Sequence, residues 1–227
     1  MAPSLSIIVP FYNEAATLAK MMKRIAAVLP EAQVVYVDDG SRDASLSIAK
    51  QMARTQDIVL TQANGGKGSA VRYGLTRANG AYTVIQDADG EYDPADIRLL
   101  LETAEKHPGC AVFGSRFLRK NPVMYFRFYA GNKVLSAWMS LLFWKRVTDS
   151  YTCYKLFPTE LFRSLDLRSN GFAMEAELCA KCLRRGIRIL EEPIAYAPRT
   201  IVEGKKIRLQ DAWKGFWTML LVRLDLL

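Results

Sequence analysis

Histidine is all but missing from this chain: His107 is the only one in 227 residues. Cysteine is scarce too, with four residues scattered at 110, 153, 179 and 182. Cys179 and Cys182 form a C-x-x-C, but it falls inside a helical pattern over 175–185, and no further ligands stand at a zinc spacing. Zinc is therefore not expected, and the thiols read as buried residues of a reducing cytosol. Long apolar runs are also absent. None reaches the roughly 18–20 uninterrupted apolar residues of a spanning helix, and nothing like a signal peptide precedes the first strand, which starts by Leu5. No G-x-G-x-x-G follows that strand, which speaks against a dinucleotide fold, and the glycine-rich turn at 64–68 lacks the G-x-x-x-x-G-K-[ST] spacing of a Walker A loop. There is no internal repeat and no low-complexity linker.

What is present fits one α/β domain with an appendage. Half of the residues are hydrophobic and 24% are charged, enough to bury a sizeable core. The net charge of +8 calls for an anionic partner: phosphates, nucleic acid or an anionic membrane face. Nucleic acid is not expected, because the basic residues do not gather with aromatics on a predicted strand face or in a recognised binding motif. Apolar strands at 5–10, 33–37, 57–61 and 81–86 alternate with helical patterns. That alternation predicts a doubly wound, mostly parallel sheet with helices on both faces.

The fourth strand runs into Asp87, Asp89 and Glu91, three acids at every second position. Carboxylates there face the crevice beyond the strand's carboxyl end, where open α/β sheets bind ligands. Such a cluster repels itself unless a cation sits in it. Mg²⁺ or Mn²⁺ suits oxygen ligands from one or two carboxylates plus a substrate's phosphates. Other strand ends add to the crevice. Tyr12 offers a ring for a base to stack on, Asp38 or Asp39 can accept hydrogen bonds from a base or ribose, and Lys67 stands on a glycine-rich turn at a helix start, like a phosphate-binding device.

Taken together, Ile8-Val-Pro-Phe-Tyr-Asn-Glu14, Val37-Asp-Asp-Gly-Ser-Arg-Asp43, Asn64-Gly-Gly-Lys-Gly68, Gln86-Asp-Ala-Asp-Gly-Glu-Tyr-Asp-Pro94 and Gly114-Ser-Arg116 resemble the family-2 glycosyltransferases of the GT-A fold. The closer resemblance is to the polyprenyl-phosphate sugar synthases, such as the dolichyl-phosphate mannose synthases, over roughly residues 5–206. It implies that Pro10, Tyr12, Glu14 and Asp39 hold the nucleotide. It also implies that Asp87 and Asp89 form a metal-binding D-x-D, with a third ligand two residues on. Many mannose synthases have Gln at that third position, where this chain has Glu91. The loop at 196–206 would close over the donor pyrophosphate, which nominates Arg199 and Lys205. Where the family often has Asp-Gly, this chain has Asp211-Ala212.

The second half departs from simple alternation. Residues 122–147 are mostly apolar, with a narrow polar stripe at Arg127, Lys133, Ser136 and Ser140 and basic pairs on either side. A buried helix, a partner-binding helix and a helix lying in a membrane interface all fit. The segment 207–227 repeats the pattern, with Leu209, Trp213, Phe216, Leu220, Leu224 and Leu227 at helical spacing. Two such helices favour the membrane interface. The expected organisation is a GT-A domain over 1–206, with an amphipathic insertion at about 122–147, and an interface helix over 207–227. The expected location is cytoplasmic, peripheral to the membrane.

The expected function is metal-dependent, inverting transfer of a hexose from a GDP- or UDP-linked donor to a polyprenyl phosphate, the inversion being what the resemblance implies. A lipid phosphate is largely dianionic at neutral pH and needs positive charge more than it needs a base. Arg116, Arg127 and Arg199 are the candidates. If the acceptor were instead a carbohydrate hydroxyl, as in polysaccharide or capsule synthesis, Asp149 or Glu175 would serve as base. A non-catalytic nucleotide- or membrane-binding protein is disfavoured by the intact Asp87 and Asp89.

Overall fold

The protein is described by a computed structural model covering residues 3–123, 125–200 and 209–227. Strand β1 (Leu5–Phe11) forms from a continuous apolar run and is buried at every position, as is β2 (Gln33–Asp38). Unbroken burial of this kind belongs to central parallel strands covered on both faces. Helix α1 (Ala15–Val28) lies between them, and α2 (Ser45–Met52) leads to β3 (Ile58–Thr61). Helix α3 (Lys67–Leu75) returns to β4 (Tyr82–Ile85), and α4 (Asp96–Lys106) starts just past Pro94, a residue suited to a first helical turn, before β5 (Ala111–Ser115).

Among the described residues the sheet has seven strands in the order β3-β2-β1-β4-β6-β5-β7. The mostly parallel α/β expectation holds, with one departure. Strand β6 (Lys155–Pro158) inserts antiparallel between β4 and β5, with Val84 opposite Leu156 and Phe113 opposite Lys155. The sequence predicts no strand there, because four residues are too few to show a period. The direction of β6 matters for the site. Its first residues lie beside the carboxyl end of β4, so a strand start adds side chains to a crevice otherwise built from strand ends. Helices α6 (Thr159–Ser164) and α7 (Ala173–Arg184) then lead to β7 (Ile189–Pro193), parallel to β5.

Helix α5 (Phe126–Phe143) overturns the expected polar stripe. Ser136 and Ser140 face the domain: Ser136 Oγ accepts from the Ser150 amide at 3.0 Å, and Ser140 Oγ accepts from the Val147 amide at 3.0 Å. Phe126, Val134 and Leu141 instead point outward, 76%, 67% and 59% exposed. The two serines satisfy the backbone of the loop beneath and Leu135 and Met139 are buried beside them, while Arg127 and Lys133 of the stripe stay exposed and three apolar side chains are left on the surface. Helix α8 (Leu209–Arg223) packs beside α5, its Phe216 stacked on Trp138 at 4.5 Å, while Trp213 and Trp217 remain exposed. Its apolar stripe is thus divided between core and surface. Cys179 and Cys182 sit wholly buried on α7 as free thiols, and burial pushes Cys182 up to about 12. Among the described residues no helix is long and apolar enough to cross a membrane.

Candidate active site

A cavity of about 900 Å³ opens over the carboxyl ends of β1, β2, β4 and β5. Its wall takes Pro10, Tyr12 and Glu14 from the loop after β1, Asp39 from the end of β2 and Lys67 from the start of α3. The turn after β4 adds Asp87, Asp89 and Glu91, and Arg116, Arg127, Glu175 and Arg199 complete the set of nominated residues. Lys205 lies outside the described residues. Asp38 is spent inside the fold: it is 1% exposed and accepts from the Ser41 amide and the Thr61 hydroxyl.

The acids at the end of β4 divide their work. Asp89 Oδ2 lies 3.2 Å from Arg199 Nη2, whose guanidinium also reaches Glu14 Oε2 through Nη1 at 3.1 Å. Burial, then the charges of Asp87 and Glu91, push the Asp89 carboxyl up to about 7 against the pull of Arg199. Burial opposes the Arg199 charge in turn, but Asp89 and Glu14 outweigh it and hold the guanidinium above its ordinary value. Glu91, expected as a third metal ligand, is placed otherwise. Its Oε2 accepts from the Tyr196 hydroxyl at 2.9 Å and its Oε1 from the Arg199 amide at 2.8 Å, so it anchors the loop that carries Arg199.

Lys67 also differs from expectation. Its ammonium sits between Asp87 Oδ1, at 2.7 Å, and Glu175 Oε1, at 2.8 Å. The turn before it is no phosphate cradle here. The Gly65 and Gly66 amides donate to Asp39 Oδ1 and Oδ2, both at 2.8 Å. The glycines at 66 and 68 are demanded by close packing: a Cβ would come within 2.6 Å of the Asn170 carbonyl at Gly66 and 2.1 Å of the Ser169 carbonyl at Gly68. Gly66 also has φ +90°, which suits glycine best.

Asp149, nominated as a base, is fully buried and forms a fork with Arg116: Nε to Oδ2 at 2.7 Å and Nη2 to Oδ1 at 2.8 Å, with the Arg116 amide donating as well. This pairing engages both Asp149 oxygens and makes Arg116 part of the wall, its guanidinium 5.2 Å from the Tyr196 ring centroid. Glu175, the other nominated base, is held by Lys67 on one oxygen and by Lys155 Nζ, at 2.5 Å, on the other. Arg127 stands exposed at the mouth between the rings of Tyr125 and Phe128, at 5.6 and 4.9 Å, and Arg119 and Lys120 line the same wall.

The sequence gives no individual role to Lys155, which closes the stretch 148–155 that resembles the family's acceptor-side motif, to Tyr196, which opens the loop at 196–206, or to Asn121. Lys155 left a signal: it is the one charged residue in the stretch 150–158. Asn121 left none. It bridges the Arg116 and Ile194 carbonyls and accepts from the Tyr196 amide, contacts that only the tertiary fold creates.

The site contains oxygen donors suited to a hard cation. Among the described residues no three His, Cys, Asp or Glu side chains converge to hold an ion. Asp87 and Asp89 supply two carboxylates, the number with which Mg²⁺ or Mn²⁺ is commonly held when substrate phosphates complete the shell.

Residues 6–164 match the family described as Glycosyl transferase family 2. The chain is 26% identical to the low-salt glycan biosynthesis hexosyltransferase Agl6 and 30% identical to the glycosyltransferase AglJ, both of Haloferax volcanii, covering 97% and 85% of this chain. It spans only 54% and 63% of the length of those two relatives. It is also 28% identical to the undecaprenyl-phosphate mannosyltransferase of Micrococcus luteus, over 87% of this chain and 85% of that one. Among solved structures, glucosyl-3-phosphoglycerate synthase from Mycobacterium tuberculosis, in complex with Mn²⁺, UDP and glucosyl-3-phosphoglycerate, superposes with a TM-score of 0.74 at 19% identity. That match covers 99% of this chain and 81% of the other and shows the shared GT-A fold.

Proposed function

We propose, because this chain belongs to glycosyl transferase family 2, that it transfers a hexose from a nucleotide-sugar to a polyprenyl phosphate. The observation that carries the acceptor is the polarity of the cavity. One end gathers Glu14, Asp87, Asp89 and Glu175 around Lys67 and Arg199; the other presents Arg119, Lys120 and Arg127 among aromatic rings. The name of the Micrococcus luteus relative supports the same acceptor class.

Tyr12 and Asp39 would receive the nucleoside at the end formed by β1 and β2. Asp87 and Asp89 would hold Mg²⁺ or Mn²⁺, whose chemistry is to neutralise charge on the departing nucleoside diphosphate. Arg199 would leave the carboxylates for the donor diphosphate, which guanidinium binds bidentately. The attacking group would be a phosphate oxygen. A phosphate monoester has a second pKa near ~6, so no proton need be removed at neutral pH. This matches the pairing of Asp149 and Glu175, each already committed to cations. Arg127, with Arg119 and Lys120, would guide the lipid phosphate, and in-line attack from that side would invert the anomeric carbon. The outward apolar residues of α5 and α8 and the net charge of +8 suit a peripheral position on an anionic, cytoplasmic membrane face.

The test is direct. Protein is incubated with UDP- or GDP-sugars, Mn²⁺ or Mg²⁺ and polyprenyl phosphate, and the lipid fraction is weighed by mass spectrometry. A hexosylated lipid phosphate is expected. Sugar appearing on a carbohydrate hydroxyl, with the lipid unchanged, would sink the acceptor assignment.

A further inference from the structure

Lys155 has no part in the chemistry above, yet it is a charge with no access to water: its exposure is 0%. Its ammonium donates to Glu175 Oε2 at 2.5 Å and to the Thr152 carbonyl, and lies 5.3 Å from the Phe113 ring centroid. The other Glu175 oxygen meets Lys67 Nζ at 2.8 Å, and that ammonium meets Asp87 Oδ1 at 2.7 Å. Four charges alternate in sign from the start of β6 to the end of β4. Keeping an ammonium in such a place is costly, and a fully apolar replacement of the Lys155–Glu175 pair would cost the fold little or nothing.

We propose that Lys155 is a positioning residue for the divalent-ion site: by neutralising Glu175 it leaves Lys67 shared between Glu175 and Asp87, and so sets how much negative charge Asp87 presents. This rests on the metal role given above to Asp87 and Asp89. Loss of the Lys155 charge leaves Glu175 to draw Lys67 toward itself, and Asp87 becomes more negative. Loss of the Glu175 charge does the reverse: Lys67 falls wholly to Asp87, and Lys155 adds an uncompensated positive charge behind it. The two changes therefore act on a bound cation with opposite signs. A residue that merely supported the fold would give losses of one sign.

The experiment titrates Mn²⁺ alone into wild type, Lys155→Met, Glu175→Gln and the double variant, following free ion by electron paramagnetic resonance. Nucleotide and lipid are absent, and thermal unfolding is recorded for each protein. Lys155→Met is expected to bind Mn²⁺ roughly tenfold tighter and Glu175→Gln roughly tenfold weaker, well below the effect of a charge in direct contact because both act on the ion through Lys67 and Asp87. The double variant, again neutral, should fall between. If Lys155→Met does not fold, the double variant removes the buried charges as a pair and should still bind Mn²⁺ more tightly than Glu175→Gln. Shifts in the same direction, or affinities within about twofold of wild type, overturn the relay and leave the metal reading intact. A folded wild type that binds no Mn²⁺ overturns both.

Discussion

The Arg199 guanidinium joins the two ends of the chain's acidic cluster, reaching Glu14, 185 positions away in sequence, through Nη1 at 3.1 Å and Asp89 through Nη2 at 3.2 Å. It stands where a divalent ion would compete with it for Asp89. Arg199→Ala should therefore strengthen the binding of Mn²⁺ alone while weakening that of the donor. Removing a charge-assisted contact to diphosphate costs about 1.5–3 kcal/mol. Calorimetry with Mn²⁺ and with nucleoside diphosphate separates the two effects, and a parallel loss in both would contradict the assignment.

Asp89→Ala should fold normally and lose metal-dependent nucleotide binding. The lifted carboxyl is a local liability to stability, so the variant should unfold no earlier than wild type. Unchanged Mn²⁺-dependent nucleotide binding in the folded variant would show that the ion sits elsewhere.

Arg127 is exposed and its guanidinium faces two rings rather than a carboxylate. Arg127→Ala should raise KM for polyprenyl phosphate by roughly 10–150-fold, the worth of one charged contact, with nucleotide affinity preserved. Steady-state kinetics with varied lipid at saturating donor gives the answer. A KM unchanged for lipid would move the acceptor phosphate to other residues.

The outward side chains of α5 can be altered without disturbing the core. Val134→Lys with Leu141→Lys should leave the melting temperature within a few degrees of wild type, since surface changes usually cost less than about 0.5 kcal/mol. Sedimentation with anionic vesicles should fall. Equal sedimentation of the variant and wild type would place membrane contact on another face.

Glu177 gives the acid limb of stability. It is fully buried, and although burial raises its carboxyl, Lys181 and the Arg168 and Ser169 amides more than offset that and hold it below the ordinary range. A depressed folded-state carboxyl contributes stability that is present above the unfolded pKa and is lost as pH falls through the folded one. Glu177→Gln should cost about 1–3 kcal/mol at neutral pH and flatten the dependence below about pH 4.5. Urea unfolding at stepped pH measures both, and an unchanged acid limb would rule Glu177 out as its source.

Much of the frame could be read from the chain. β1 and β2 are unbroken apolar runs, and the acids at 87, 89 and 91 follow a strand as active-site carboxylates do. The pairings were less legible. Lys67 looks like a phosphate ligand until Glu175, distant in sequence, is folded against it. Arg116 and Asp149 each look available until they are seen to neutralise one another. Helix α5 misled for a different reason. Its serines serve the amides of Val147 and Ser150, and an amphipathic reading assumes that hydroxyls seek water.

Strand β6 also has a mechanical consequence. β4 and β5 never pair with each other, so the sheet is two plates, β3-β2-β1-β4 and β5-β7, sewn together by one strand of four residues. Proteins open locally in cooperative units short of global unfolding, and the seam, though its Leu156 and Phe157 are wholly buried, is the boundary between two such units of the sheet that exchange measurements can test. Rotation about it changes the gap between the carboxylates after β4 and the Arg116–Asp149 fork after β5, the span a sugar would have to cross. Amide exchange at Leu156 and Phe157, compared with β1, tests whether the seam opens alone; equal protection in both strands would show that the two plates open only together.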